Sequence, residues 1–131
     1  MSDRELLDLA AKAAGYDTSH RWNAYRLRLD PPVAALCIDG VSTGWNPLED
    51  DGHALQLAVM LKLSIFPPEG DDGDFAVASV PEGVLDDFGE TWIQENVKDG
   101  DKLAATRRAI VRAAAEIGRT TQLLSNGDSS Q

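Results

Sequence analysis

The stretch from Lys102 to Arg119, KLAATRRAIVRAAAEIGR, has the clearest periodicity in the chain and dominates our interpretation of its fold. At 100° per residue, its apolar side chains gather on one side of a helix, where we expect a buried stripe. That stripe consists of Leu103, Thr106, Ile110, Ala113, Ala114 and Ile117. The basic side chains nearly opposite are Arg108, Arg112 and Arg119, with Arg107 at the border. The pattern predicts an amphipathic helix from about Asp101 to Thr121.

A first helix is predicted at the N-terminal side of the chain. Ser2 and Glu5 have the spacing of a capping box, in which each side chain satisfies a free amide at a helix start. Gly15 is a favourable residue for a left-handed helix stop. These signals predict a helix from Asp3 to Ala14.

Another helix is predicted in the middle of the chain. Asn46 is a good N-cap, Pro47 suits the first helical position, and Asp50 and Asp51 add negative charge near the positive end of the helix dipole. We expect this helix to continue through Leu63. Because apolar residues cover most of its circumference, we expect it to be largely buried.

Four stretches have the pattern of strands. Alternation from Ala24 to Leu29 predicts a strand with one exposed face, and Val33 to Ile38 predicts an antiparallel neighbour after the break at Asp30-Pro31-Pro32. Phe75 to Val80 and Thr91 to Ile93 predict two more strands. Three helices combined with antiparallel strands place the chain in the α+β class.

The 131 residues fit one domain, which we place at residues 1–124, followed by a disordered polar tail at 125–131. With 12 basic and 22 acidic side chains the net charge is −10, so we expect neither nucleic acid nor a membrane as partner. The charged start Ser2-Asp3-Arg4-Glu5 and the lack of a span of roughly 20 apolar residues predict a soluble, intracellular protein. Cys37 is the only cysteine, which excludes an intrachain disulfide.

Signals for catalysis and for metal binding are weak. Gly40 to Gly44 matches G-x-S-x-G, but Trp45-Asn46-Pro47 follows where a nucleophile elbow needs a helix. We therefore interpret it as a glycine-rich turn and keep a hydrolase using Ser42 as a minor alternative. The two histidines, His20 and His53, are not at metal-ligand spacing, and Asp71, Asp72 and Asp74 lack the calcium-loop spacing. We expect no catalytic residue, no metal and no cofactor.

The basic face of the C-terminal helix is the best candidate binding site. Lys102 to Arg119 holds five basic residues and one acidic residue, a net charge of +4 in an otherwise acidic chain. Arg108 and Arg112 are one helical turn apart, which suits a grip on phosphate or carboxylate. The alternative is a solvent-exposed face with an Arg112–Glu116 ion pair.

Further ligand-binding candidates come from other parts of the chain. They are Arg107, Arg26, Arg28, Trp45 and Trp92. The arginines would add positive charge, and a tryptophan would stack on a base. For each tryptophan the alternative is a place in the hydrophobic core.

The segments WNPLED at residues 45–50 and ALQLAV at 54–59 resemble the phage alpha-beta-alpha sandwich family, which the NinX-like small phage proteins resemble in turn. Pro47, Asp50 and Ala54 have the family's spacing, and residues 109–114 are similar to its closing helix, with an arginine at the place of Arg112. The resemblance covers roughly Trp45 to Gly118. It implies a small antiparallel sheet layered with three helices, a phage origin and a host-cytoplasmic location, and it adds Asp50 to the candidate site.

These observations lead to one main functional hypothesis. We expect a non-enzymatic phage accessory protein with an anti-defence role, which sequesters a small anionic, nucleotide-derived signal at the interface of a homo-oligomer. In the alternative, the chain is an acidic inhibitor that binds a host defence protein. Its contact surface would then be the acidic clusters Glu49-Asp50-Asp51, Asp71 to Asp74 and Asp86-Asp87.

Overall fold

The computed structural model describes residues 1–39, 41–69, 74–85 and 91–129, without the side chains of 41–43 and 123–129. These residues form four helices and five strands. The helices are α1 (Asp3–Ala14), α2 (Arg21–Leu27), α3 (Asp51–Met60) and α4 (Lys102–Ser129). The strands are β1 (Leu36–Ile38), β2 (Val41–Trp45), β3 (Ser64–Phe66), β4 (Phe75–Val80) and β5 (Thr91–Asn96).

The fold is α+β, as predicted, but it has four helices rather than three and two antiparallel sheets rather than one. β1 pairs with β2 in a two-stranded sheet. The other sheet has the order β3-β4-β5, and each of its strands pairs antiparallel with its neighbour in the sequence. Each sheet is therefore built from local hairpins, and the helices close its buried side.

Helix α4 lies at the centre of the packing, with a hydrophobic cluster on each of two sides. Ile110, Val111 and Ala114 pack into a cluster with α1, α3 and the first sheet. Ala105, Ala109 and Ala113 pack against β4 in a second cluster. Since two layers contact α4, more of its circumference is buried than the single predicted stripe, whereas Leu103 within that stripe is well exposed.

Helix α1 has the bounds and caps that the sequence predicts. The Ser2 side chain accepts from the backbone N–H of Glu5, and Gly15 adopts a left-handed φ of 81°. Its buried side chains are Leu6, Leu7, Ala10 and Ala11. Strands β4 and β5 are confirmed as well, with β5 extending three residues beyond the predicted end at Ile93.

The strand predicted from Ala24 to Leu29 is wrong, because residues 21–27 form the helix α2. The His20 side chain accepts from the N–H of Trp22 and caps this helix. The alternation did not reflect burial, since Tyr25 and Leu27 are both exposed. Helix α2 is instead held through the buried Asn23.

The hairpin predicted between Ala24–Leu29 and Val33–Ile38 is therefore also wrong. Only Leu36–Ile38 of the second stretch is a strand, and its partner is β2. Residues 41–44 of β2 come from the stretch predicted as a glycine-rich turn, so that prediction is wrong for these residues. Gly40 lies outside the described residues.

Helix α3 is shorter than predicted. It begins at Asp51 with Asp50 as N-cap, while the predicted cap Asn46 accepts from the N–H of Leu48 in the preceding turn. It ends at Met60, and the unpredicted strand β3 follows. The prediction that this helix is largely buried is also wrong, because Leu55 and Val59 are well exposed.

Helix α4 continues to Ser129, past the boundary at residue 125 where a tail is predicted. Residues 130 and 131 lie outside the described residues, as do the acidic positions 71–72 and 86–87. Within the described part of the chain, no helix combines the length and apolar character needed to cross a membrane.

Candidate functional site

Arg108 and Arg112 project together from α4, as their spacing predicts, and both reach the carboxylate of Glu95 on β5. Arg112 Nη1 lies 2.6 Å from Oε2, and Arg108 Nε lies 3.5 Å from Oε1. Glu95 pairs with Ala76 in the sheet, which places it on the face packed against α4. Its side chain is only 11% exposed. The two guanidinium groups that we expected to hold an anionic ligand thus contact a carboxylate of the same chain.

Each of these two arginines also has a second partner within the chain. Arg108 Nη1 lies 3.2 Å from Oδ1 of Asp3 on α1. Arg112 Nη1 donates to the backbone carbonyl of Gln94 at 2.9 Å. Arg112 does not pair with Glu116, whose partner is Arg119. The basic face of α4 thus ties α1 and β5 to the helix.

Arg107 is held in the same way on the side facing α3. Its Nη1 lies 2.7 Å from Oδ1 of Asp51, and its Nε donates to the carbonyl of Leu48 at 2.8 Å. Arg26 lies on α2 and donates to the carbonyl of Ala35 at 3.1 Å. Arg28 follows the last residue of α2 and is exposed. The structure therefore distributes the predicted arginines over α2, its C-cap and two sides of α4.

A recess of about 490 Å³ has Arg108 in its wall. The opposite residues include Pro32 and Ala35 from the segment before β1, and Asn46 from the turn before α3. Two carboxylates, of Asp3 and Glu49, face the single guanidinium. The charged lining is therefore net negative. An anionic ligand would have to displace Asp3 from Arg108 before it could form an ion pair there.

The two tryptophans of the candidate site have different environments. Trp45 is 4% exposed and contacts Tyr16 edge to face, with ring centroids 5.6 Å apart, so it belongs to the core. Trp92 is 60% exposed and stacks on Phe66, with ring centroids 5.3 Å apart and ring planes 7° apart. Of these two, Trp92 is the one accessible to a partner.

Asp50 has a structural role at the start of α3. Its Oδ1 accepts from the backbone N–H of His53 at 2.8 Å. This hydrogen bond lowers the pKa of Asp50 below its ordinary value, with smaller contributions from the N–H of Gly52 and the charge of Arg107. His53 in turn accepts at Nδ1 from the N–H of Asn46, 3.1 Å away. The proline–aspartate spacing of this segment is thus that of a capped turn leading into α3.

The acidic charge is concentrated in one segment. Between Lys62 and Lys98 the sequence contains nine acidic residues and no basic residue. The rest of the chain, with thirteen acidic and twelve basic residues, is almost balanced. This segment is the β3-β4-β5 sheet with its connections, so the negative charge of the molecule belongs mainly to that sheet.

The outer face of this sheet, turned away from α4, carries the aromatic pair. Phe66 pairs with Val77 in the register, and Trp92 pairs with Ser79, so the two rings meet across β4. Phe75 lies further along the same face and is 45% exposed. Sequence reasoning missed Phe66 because it did not predict β3, and it placed Phe75 in a predicted strand without identifying it as a surface residue. The absence of basic residues from 63 to 97 was the signal that marks this region.

The described residues offer little for catalysis by Ser42 or for metal binding. Ser42 lies within strand β2, whereas an elbow would place it at a strand-to-helix turn; its side chain is outside the described residues. Among the described side chains, no group of three histidine, cysteine or carboxylate residues could hold a metal ion.

Comparisons with known proteins add no relative to this description. No protein family matches the chain, and neither a search of curated proteins nor a search of solved structures found a match. The resemblance to the phage alpha-beta-alpha sandwich family stays a prediction.

Proposed function

We propose that this chain is a non-enzymatic binding protein that uses the acidic β3-β5 side of the molecule to attach to a basic surface of another protein. If the phage resemblance is correct, that partner is a host defence protein and the chain acts as its inhibitor in the host cytoplasm. One observation carries the proposal: the arginines of α4 are paired with carboxylates of the chain itself, Glu95 among them, whereas the sheet segment has eight further acidic residues and no basic one.

The electrostatics favour a basic protein over an anionic ligand. Ion pairs to Asp51, Asp3 and Glu95 satisfy the guanidinium groups of α4, so little positive potential remains for a phosphate. The unbalanced carboxylates create a negative field that speeds association with a positive surface and disfavours nucleic acid. Such a field provides rate and specificity, and its effect weakens as salt rises.

A neutralised variant tests this proposal. The sheet variant is Glu69→Gln/Asp74→Asn/Glu82→Gln. It removes the charge of three acidic residues in the connections before and after β4. A matched control, Glu5→Gln/Asp30→Asn/Asp99→Asn, removes the same charge elsewhere on the surface. Binding to immobilised poly-lysine and to a basic globular protein is measured by surface plasmon resonance from 50 to 300 mM salt.

We expect the sheet variant to associate several-fold more slowly than the wild-type chain at low salt, and the control to change much less. Equal effects of both variants would mean that total charge alone matters. Absence of binding to either basic probe at 50 mM salt would reject the proposal.

A second candidate function is the sequestration of a small anionic, nucleotide-derived signal, with the chain as a homo-oligomer. The recess at Arg108 supports it, because about 490 Å³ falls within the usual range of ligand pockets. Isothermal titration with cyclic nucleotides and ADP-ribose derivatives tests it. Binding that Arg108→Ala abolishes and Asp3→Asn strengthens would favour this function over the protein-binding one. No heat with any ligand of the panel would reject it.

A further inference from the structure

We propose that the outer face of the β3-β4-β5 sheet is the docking surface itself, and that its occupant is an extended segment of the partner protein rich in lysine or arginine. We call this surface the aromatic face. It consists of the exposed residues Ser64, Phe66, Phe75, Trp92, Gln94 and Asn96. The inference rests on the proposed function and specifies which surface performs it and what chemistry that surface recognises.

The geometry of the aromatic face shows a preformed apolar platform. The parallel rings of Phe66 and Trp92 join the two edge strands of the sheet across β4. Val77 and Ser79 lie between those strands on the same side of the sheet, and because both are buried they are not part of the aromatic face. The rings themselves stay 47% and 60% exposed. A ring pair that holds itself in place needs little ordering when a partner binds.

The charge distribution around the aromatic face identifies the occupant. None of its six residues is charged, although 26% of the chain is. The connection before β4, residues 67–74, carries four acidic residues, and the connection after it, residues 81–90, carries four more. Of these, Glu69 and Asp74 precede β4 and Glu82 follows it among the described residues. The uncharged platform is thus bracketed along β4 by negative charge.

Lysine and arginine side chains match this arrangement. Their aliphatic stems pack on apolar surface while the charged ends remain in water, within reach of carboxylates. A cation over the face of a tryptophan gains a further attraction from the ring quadrupole. Phosphate groups of a nucleotide or nucleic acid would be repelled by the same carboxylates.

A second copy of this chain matches the face less well. Two sheet segments of the same sign would repel each other across the interface. The exposed parts of the three aromatic side chains amount to about 300 Å², since such side chains cover roughly 150–250 Å² each. A stable dimer buries about 800 Å² per partner. This area fits a short segment better than a whole subunit.

The experiment uses a fluorescein-labelled heptapeptide in which lysine and valine alternate, and measures its binding to the full chain by fluorescence anisotropy. Trp92→Ser and Phe66→Ser remove the platform, and Trp92→Phe retains an aromatic ring. Leu55→Ala is the matched control, because Leu55 is equally exposed but lies on α3. Circular dichroism verifies that each variant is folded, and sedimentation velocity reports its oligomeric state.

We expect Trp92→Ser to weaken peptide binding by about tenfold, a factor that corresponds to about 1.4 kcal/mol. Trp92→Phe should retain most of the binding, and Leu55→Ala should bind like the wild-type chain. If Phe66→Ser is the only folded platform variant, its loss of binding serves the same purpose.

Other outcomes overturn the inference in distinguishable ways. Peptide binding that the platform variants leave unchanged would reject the aromatic face and keep the acidic protein-binding function. A dimer that Trp92→Ser converts to a monomer would show that the occupant is a second copy. Binding of a poly-adenylate oligonucleotide in place of the peptide, lost on Trp92→Ser, would show that the face stacks bases. No peptide binding to the wild-type chain would reject the inference and, together with silence of both basic probes, the proposed function as well.

Discussion

The Arg112 guanidinium and the Glu95 carboxylate, 2.6 Å apart, fasten the edge strand β5 to α4. The contact explains why the segment from Lys102 to Arg119, with a net charge of +4, occurs in an acidic chain: its cations compensate carboxylates that folding brings next to it. A pair of arginines one turn apart is the same arrangement whether it binds a ligand or a side chain of its own protein. Which group the two arginines bind depends on residues that are distant from them in the sequence.

Glu95→Gln tests the contribution of this cluster to stability. The substitution keeps the shape and leaves Arg112 with the carbonyl of Gln94, but it removes the charge that faces two guanidinium groups. We expect the free energy of unfolding to fall by about 1–2 kcal/mol, since the site is mostly shielded from water. Urea unfolding followed by circular dichroism measures it. In the control, Glu116→Gln removes an exposed partner of Arg119, and a change below about 0.5 kcal/mol is expected. Equal losses in both variants would contradict a special role for Glu95.

Asn23→Asp tests how α2 is attached to β1. The buried Asn23 side chain donates from Nδ2 to the carbonyls of Thr18 and Cys37 and accepts from the N–H of Cys37. A carboxylate there would face two carbonyl oxygens without a donor, so we expect a loss of about 3 kcal/mol at pH 7. Asn46→Asp is the control, because Asn46 acts as an acceptor toward Leu48. Partial recovery of the Asn23→Asp variant on acidification, when the new carboxyl gains a proton, would support this explanation; a stable variant at pH 7 would refute it.

Gly118→Ala tests the close approach of α1 and α4. A Cβ at Gly118 would lie 1.9 Å from the carbonyl oxygen of Leu9, so the two helix backbones would have to separate. We expect the free energy of unfolding to fall by about 3 kcal/mol, near the upper end of overpacking effects. Thr121→Ala, at an exposed position nearly one turn further on, is the control and should be close to neutral. A Gly118→Ala variant as stable as the wild-type chain would show that the helices are not in contact there.

Asp50→Ala tests the pH dependence of the α3 cap. The hydrogen bond from the N–H of His53 lowers the pKa of Asp50 in the folded state, so the ionised carboxylate stabilises the fold above its ordinary pKa near 3.8. That stabilisation is lost as pH falls through the lower, folded-state pKa. We expect Asp50→Ala to lower the melting temperature at pH 7, and the difference from wild type to shrink below pH 3.8 as Asp50 is protonated. Glu49→Ala, at the preceding exposed residue, should show no comparable difference. A constant gap between Asp50→Ala and wild type across this range would argue against a charge-dependent cap.

Sequence patterns correctly predicted those helices and strands whose ends are defined by residues within or next to the element. Ser2 and Gly15 bound α1 correctly, and the apolar spacing of α4 identified its centre. The alternation from Ala24 to Leu29 wrongly predicted a strand, because a pattern of only six residues is compatible with a short helix as well. The hydrogen bond between Asn23 and Cys37 favours the helix. A short strand such as β3 depends on its partner β4, which local periodicity does not contain.

The type of group that the candidate site binds could be predicted from the sequence, but the residue that fills the site could not. The spacing of Arg108 and Arg112 revealed a carboxylate grip, yet no local pattern indicates that Glu95 fills it. Of the two tryptophans, Trp45 lies in the core and Trp92 on the surface, because Trp45 packs on Tyr16 and Trp92 on an edge strand. Such differences arise from packing between elements, which local sequence patterns do not contain.

Helix α4 contributes side chains to both hydrophobic clusters, with Val111 in one and Ala109 in the other. If α4 detached from one cluster, the other cluster would also lose the helix that it packs against. Unfolding should therefore be all-or-none across the chain. Occupation of the sheet by a partner would then raise the protection of amide hydrogens in α1 against exchange as well, although α1 lies on the other cluster. Because both clusters share α4, binding of a partner at the sheet should be detectable by amide-hydrogen exchange throughout the domain.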